Sequence, residues 1–261
     1  MIDVKRGTAG IAVITGSGME GQFDLAGRRV VKTRYGSTIT YTSEVAGRAF
    51  YVLPRHGVRH DVPPHRINYR ANIAALGQLG VGAVIATTAV GSMRPEFGVG
   101  HLGLVEQFID FTKGRSSTFF DGKATHTDMT NPYDRELGEA LVSAARKKGM
   151  SLRTGLVYVC AEGPRYESAA EIRMFRVMGG DVVGMTGVPE VVLARELGLR
   201  YSSIAIATNW AAGIQGKVSH EEVVAVMKES GRKVRRLVEG AIASLGANLI
   251  TGGGVRVRRE A

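Results

Sequence analysis

A single α/β domain is the architecture this sequence predicts, and three observations predict it. Short apolar runs of strand length alternate with amphipathic stretches along most of the chain, the pattern of alternating strands and helices rather than of a helical bundle. Those runs stop at glycine-rich or polar turns, where strands hand over to loops. At 261 residues, 44% hydrophobic and 22% charged, the chain can bury one substantial core, and no internal repeat or Pro/Ser-rich linker divides it. The predicted domain covers residues 1–250, and the basic tail at 251–261 (TGGGVRVRREA) is expected to be mobile.

The first strand is GIAVITGSG at 10–18, an apolar run ending in a glycine turn, and the second is RAFYVL at 48–53. Residues 68–80 form a helix: Asn68 is an N-cap residue type, and Ile73, Leu76 and Leu79 fall on one face. A strand, VGAVIATTAV, follows at 81–90. Between Thr112 and Pro132 the apolar periodicity disappears, leaving a stretch too long for an ordinary connector and so expected to be functional or intersubunit. Helical and strand-like segments then alternate over 134–149, 154–160, 168–178, 181–184, 188–197 and 200–208. Ser219 and His220 open a long helix with Val223, Met227, Val234, Leu237, Val238 and Ala241 at helical spacing.

Composition narrows the function classes. Cys160 is the only cysteine, so no intrachain disulfide can form, and the first residues, MIDVKRGTAG, lack the apolar core of a secretion signal. A cytoplasmic enzyme is expected. No run approaches the roughly 18 apolar residues of a membrane span, so no membrane partner is expected. Lys and Arg exceed Asp and Glu by 34 to 24, a formal charge of +10. The basic residues are scattered, apart from Arg232, Lys233, Arg235 and Arg236 on the last helix and Arg256, Arg258 and Arg259 in the tail. That distribution speaks against nucleic acid and for a small anionic substrate.

Two turns after strands carry chemistry. GSG at 16–18 offers backbone N–H groups and the Ser17 hydroxyl to an anion, or is simply a tight strand exit. TGSGMEG is not the dinucleotide fingerprint GxGxxG, which removes the main sequence support for an oxidoreductase. PRHGVRH at 54–60 puts Arg55, His56, Arg59 and His60 in a loop after a strand, the place where α/β proteins carry function. Arg55 supplies a planar bidentate donor and His56 another, unless the loop is merely solvated and basic. No HExxH or paired Cys/His spacing appears, so no metal is expected.

The segments GSG, RHG with INYRANIAALGQLG, ATTAVGS, EQFIDFT, AEGPRYESAAE and VVGMTGVPEVVLAREL, in that order, resemble the trimeric purine nucleoside phosphorylases and methylthioadenosine phosphorylases from about residue 10 to 243. The resemblance implies a central mixed twisted β-sheet flanked by helices, assembled as a homotrimer or as a hexamer of paired trimers, with sites near subunit interfaces. It implies inorganic phosphate as co-substrate, with no further cofactor. Carried over residue by residue, phosphate is held by Ser17, Arg55, His56, the Ala89 N–H and the Thr186 hydroxyl, and Met185 lies against the ribose. Taken alone, Met185 is equally a core residue beside Val183.

Within that family, three positions bear on the nucleoside. Asn209 offers an NH₂ to O6 of an oxopurine and an oxygen to the N7 proton, where the adenine-specific branch has Asp. Its bland alternative is bonding its own turn. Glu167, after Tyr166, accepts from N1–H of an oxopurine, unless it only serves the helix that follows. Tyr166 offers an aromatic face to the base. His220 resembles the residue that bonds the five-prime hydroxyl in enzymes acting on inosine and guanosine, although a solvent-exposed helix-start histidine reads the same way. His126 aligns with a residue that reaches into the neighbouring subunit's site and is His in the methylthio relatives. The expected activity is phosphorolysis of 6-oxopurine nucleosides, with Asn209, Glu167 and His220 as catalytic contacts and methylthioinosine or methylthioadenosine as the alternative substrate.

Overall fold

The computed structural model describes residues 10–250 apart from 20, 123 and 216–219, and at 220–222 and 224 it describes the backbone alone. The predicted tail, 251–261, lies outside the described residues. In chain order the strands are β1 (Ile11–Thr15), β2 (Ala26–Thr33), β3 (Gly36–Val45), β4 (Arg48–Pro54), β5 (Ala83–Ser92), β6 (Leu102–Phe111), β7 (Arg153–Ala161), β8 (Val182–Gly184) and β9 (Arg200–Trp210). The helices are α1 (Tyr69–Gln78), α2 (Arg135–Lys147), α3 (Ala169–Val177), α4 (Gly187–Glu196), α5 (His220–Ser244) and α6 (Ala247–Ile250). No helix among the described residues is long and apolar enough to cross a membrane.

The nine strands make one mixed sheet in the order β2-β3-β4-β1-β5-β8-β7-β6-β9, and β9 returns to pair with β5. Strands β4, β1, β5 and β9 run parallel, so their C-terminal ends open on the same edge. Strand β8 runs antiparallel to β5, and β6 runs antiparallel to β9. The result is the mixed sheet with flanking helices that the resemblance implied.

Side-chain alternation explains why the central strands read as continuous apolar runs: both faces are covered. On one face Ala12, Ile14, Tyr51, Leu53, Val84 and Ala86 pack with Ile73 and Leu76 of α1 and Val191 and Leu193 of α4. On the other, Ile11, Val13, Phe50, Val52 and Ile85 pack with Leu137 and Leu141 of α2 and Val234, Leu237 and Val238 of α5. Burying each such side chain contributes roughly 1.5–3 kcal/mol, so two facing cores rather than any polar contact hold the layers.

Helix starts follow local chemistry. Asn68 accepts the Ala71 N–H at 3.0 Å, as its residue type predicts. Asp134 caps α2 through Leu137, and Ser168 with Glu171 forms a capping box on α3. Strands β2, β3 and β6 were not expected from the sequence. Strand β2 is exposed at nearly every position, so it carries no apolar alternation to read. The 112–132 stretch contains no helix or strand among its described residues, in keeping with its lost periodicity.

Candidate active site

One cleft at the C-terminal edge of the parallel strands gathers residues from widely separated segments of the chain. It is lined by Gly16 and Ser17 after β1, Arg55 and His56 after β4, Thr88 and Ala89 within β5, Tyr166 and Glu167 after β7, Met185 and Thr186 after β8, and Thr208 and Asn209 near the end of β9. Two features of the sheet produce this convergence. Antiparallel pairing of Gly91 with Val183 and Ser92 with Val182 leads β8 back along β5, which brings Thr186 Oγ1 to 3.3 Å from Thr88 Oγ1. In the β5–β9 ladder Val90 pairs with Ala207 but Gly91 with Asn209, so Thr208 is an extra residue; such a bulge re-aims the side chains around it.

One end of the cleft holds a buried, fixed cation. Arg55 is 2% exposed, and its Nε and Nη2 donate to Glu190 at 2.7 and 2.6 Å, while Nη1 donates to the Thr87 carbonyl at 2.8 Å. Three of its five N–H groups are therefore committed, leaving two for a ligand. Burial works to lower the Arg55 pKa, but the charge and hydrogen bonds of Glu190 outweigh it and hold the guanidinium above its ordinary value. Tyr201 donates to the same carboxylate at 2.7 Å. Arg55 is thus a fixed cation whose fork is turned to the protein, which corrects the expectation of a bidentate fork presented to the ligand.

His56 also differs from the simple donor expected. Its Nδ1 lies 2.8 Å from the Val62 carbonyl, which can only accept, so Nδ1 carries the proton. The other nitrogen, Nε2, donates only when the ring is an imidazolium and otherwise accepts, for instance from a protonated phosphate oxygen. In the GSG turn, Gly16 N–H donates to Thr87 Oγ1 at 2.9 Å and so is not aimed at a ligand. A Cβ on Gly16 would stand 2.6 Å from the Thr87 carbonyl oxygen and 3.0 Å from Arg55 Nη1, which is why glycine is required there. The Ser17 hydroxyl is 3.4 Å from His60 Nε2, a contact that helps join the two turns.

The other end of the cleft is left unsaturated. Glu167 is 9% exposed, and its Oε1 is buried with no hydrogen-bond partner among the described residues. Burial raises the Glu167 carboxyl above the usual carboxylate range, and the Glu171 charge adds to the shift. Glu171, not Glu167, bonds the start of α3. Asn209 Nδ2 donates to the Trp210 carbonyl at 2.8 Å and its Oδ1 accepts from Thr208 Oγ1 at 2.9 Å, which fixes the amide's orientation. One N–H and one lone pair of that amide stay available. Tyr166, 41% exposed, forms the rim.

One nominated residue does not line this cleft, and the side chain of another lies outside the described residues. His126 is exposed and does not line the cleft of its own chain. His220 begins α5, but its side chain lies outside the described residues. From the same helix Val223, one turn further on, does line the cleft.

Comparison with known proteins gives the family and agrees with the fold. Residues 10–243 match the family model described as the Phosphorylase superfamily. The chain belongs to the phosphorylase superfamily. Among similar phosphorylases is a probable 6-oxopurine nucleoside phosphorylase of Moorella thermoacetica, 49% identical over 90% of this chain and 93% of that protein. A 6-oxopurine nucleoside phosphorylase of Pyrococcus furiosus is 46% identical over 89% and 91%, and a probable S-methyl-5'-thioinosine phosphorylase of Methanopyrus kandleri is 48% identical over 82% and 85%. Among solved structures, methylthioadenosine phosphorylase from Schistosoma mansoni in complex with adenine superposes with a TM-score of 0.88 at 33% identity, covering 93% of this chain and 95% of that one.

In this phosphorylase the sequence reading missed the residues that hold the ligand-facing ones. Glu190 is fully buried on α4 and was hidden inside an apolar helix, although a charged residue in VPEVVL is itself a signal that a buried partner exists. Arg115 was missed as well. It emerges from the featureless 112–132 stretch, and its guanidinium donates to the carbonyls of Glu162, Met185 and Val188 at 2.7, 2.8 and 2.6 Å. It thereby ties the Tyr166–Glu167 segment to the Met185–Thr186 turn. Nothing local in the sequence distinguishes it from a surface arginine.

Proposed function

We propose that the cleft carries out reversible phosphorolysis of 6-oxopurine nucleosides, inosine and guanosine, yielding the free base and ribose 1-phosphate. One observation carries the choice of base: the buried, unpartnered oxygen of Glu167. A buried carboxylate oxygen without a donor is costly, and N1–H of an oxopurine, joined by the 2-amino group of guanine, supplies one. Adenine presents a bare N1 lone pair to the same oxygen and is repelled. The names of the Moorella and Pyrococcus relatives support the same reading.

The chemistry follows from the two ends. As the glycosidic bond stretches, the ribose gains oxocarbenium character and the purine becomes an anionic leaving group. Phosphate, held by Ser17, Arg55, His56, the Ala89 N–H and Thr186, faces the cation and attacks the anomeric carbon. Because Glu190 already balances Arg55, the anion end draws phosphate in through oriented donors more than through net charge. Asn209 donates its remaining N–H to O6; the proton that the attacking hydrogen phosphate gives up passes through water to N7, and the Asn209 lone pair accepts from the N7–H so formed, so the departing base is neutralised without a strong acid. Met185 packs against the ribose and Tyr166 against the base, excluding water so that phosphate captures the sugar. The enzyme works in the cytoplasm as a homotrimer, alone or paired into a hexamer, with His126 completing a neighbour's site and His220 bonding the five-prime hydroxyl. Phosphate is its co-substrate, and no other cofactor takes part.

A second reading keeps the base and changes the five-prime group to methylthio. Val223 in the cleft lining favours it, since an apolar wall suits a thioether, and so does the name of the Methanopyrus relative. Steady-state assays of inosine, guanosine, adenosine and 5'-methylthioinosine, with and without phosphate, test both readings. The first expects phosphate-dependent cleavage with inosine well above adenosine; comparable kcat/KM for those two would overturn it. A preference for 5'-methylthioinosine over inosine would select the second.

A further inference from the structure

Tyr158 lies on β7, behind the cleft wall that carries Thr186 and not in the cleft itself. Its side chain is 1% exposed and tightly enclosed: a Cβ on Gly184 or Gly187 would stand 2.6 or 2.8 Å from it. The phenol oxygen accepts the backbone N–H of Thr186 at 3.0 Å and that of Gly187 at 3.2 Å. These two N–H groups lead into α4, where Val188 is extended (φ −119°, ψ 133°) and Pro189 has no N–H to offer. An N-cap threonine commonly accepts the N–H two or three residues on, and here those residues are the extended Val188 and Pro189, which has none. Thr186 makes no capping bond, and its hydroxyl instead lies beside Thr88 in the cleft lining.

From this arrangement we infer that Tyr158 is a positioning residue for phosphate: by holding the two N–H groups from behind, it fixes the Thr186 backbone and keeps the hydroxyl beside Thr88 in the cleft lining as a donor. The inference rests on the phosphorolytic reading above and adds to it a residue that never touches substrate. The physical argument is one of backbone orientation. The two N–H groups share one buried acceptor, and bonding to it holds the Thr186 backbone at φ −134°, ψ −18° and so sets the direction of its hydroxyl. Burial holds the phenol above its ordinary pKa, so the hydroxyl stays protonated and uses its lone pairs for these bonds.

Tyr158→Phe removes one oxygen and keeps the ring that fills the space beside Gly184 and Gly187. With the acceptor gone, the Thr186 turn loses its anchor and the hydroxyl moves out of place in the cleft, and the KM for phosphate rises about tenfold while the KM for inosine stays within about twofold. Thr186→Ala, which removes the hydroxyl outright, raises the phosphate KM as much or more. In the double variant Tyr158→Phe adds no further rise, because both changes act through the same hydroxyl. Should Tyr158→Phe fold poorly, Gly187→Ala, whose Cβ would stand 2.8 Å from the phenol ring, displaces the phenol from the two N–H groups and produces the same phosphate-selective defect.

Thr186→Ala raising the phosphate KM while Tyr158→Phe leaves it unchanged, or the two effects multiplying in the double variant, overturns the inference and leaves the phosphorolytic reading intact. An unaltered phosphate KM in Thr186→Ala removes the phosphate assignment and the inference with it. A wild-type protein that cleaves no nucleoside with phosphate ends the underlying reading itself.

Discussion

The two ends of the cleft are constructed on opposite principles. At the end where we propose that phosphate binds, Arg55 is held by Glu190 and the Thr87 carbonyl, Gly16 N–H by Thr87, and the Thr186 and Gly187 N–H groups by Tyr158. At the purine end Glu167 carries an oxygen with no hydrogen-bond partner among the described residues, Asn209 is half committed and Tyr166 is 41% exposed. The difference teaches where rigidity and selectivity reside: a small symmetric anion is met by a preorganised cradle, whereas the base is selected by a group that only the right base satisfies.

The strongest test of the rigid end is Glu190→Ala. Removing one partner leaves the Arg55 guanidinium buried without its counter-charge, and the expected loss is about 3–5 kcal/mol of unfolding free energy, read from chemical denaturation. A loss confined to activity would show that the pair serves the ligand and not the fold. Glu167→Ala probes the open end and reverses the pattern. Losing one charged hydrogen bond of roughly 1.5–3 kcal/mol lowers kcat/KM for inosine about tenfold to a hundredfold, with stability unchanged or slightly raised because an unpartnered buried carboxylate is gone.

Asn209→Asp is expected to move preference toward adenosine, but by less than a simple donor-to-acceptor exchange suggests. Asn209 Nδ2 now donates to the Trp210 carbonyl, and a carboxylate oxygen there would face that carbonyl repulsively. Competition assays should therefore find a shifted ratio together with lower turnover of both nucleosides, and an unchanged ratio would place Asn209 outside the base contacts.

The smallest expected effect is on pH dependence, where two carboxylates four residues apart behave oppositely. Glu167 is raised by burial and Glu171 is lowered to about 2 by its hydrogen bonds with Arg165 and Ser168. For Glu167 the folded state holds its proton more tightly, so its contribution to stability is present in acid and is lost as pH rises from the ordinary carboxylate value through the raised one. For Glu171 the contribution is present above the ordinary value and is lost as pH falls toward about 2. Hypoxanthine binding should weaken as acidification protonates Glu167, while adenine, which accepts at N1, should bind better. Calorimetric titrations across that range should show both trends, and Glu167→Gln should flatten them.

Much of this was legible in the sequence. The central strands read as apolar runs because both faces of β1, β4, β5 and β9 are covered, and α1 and α5 declared themselves through Asn68 and the spacing from Val223 to Ala241. The nominated residues that line the cleft were legible because each sits within or just after a strand or in a resembling motif. Strand β2 was not, since an exposed edge carries no alternation. Neither were Glu190, Arg115 and Tyr158, whose partners lie 135, 46 to 73, and 28 or 29 residues away along the chain.

The amino-acid order alone determined the α/β class, the alternation of elements and the chemical types gathered in the site, because hydrophobic periodicity, caps and turns act over a few neighbouring residues. Only the tertiary structure decided which N–H groups and oxygens remain available to a ligand. That depends on which distant side chains come within about 3 Å, a distance set by sheet register, the bulge at Thr208 and the antiparallel return of β8.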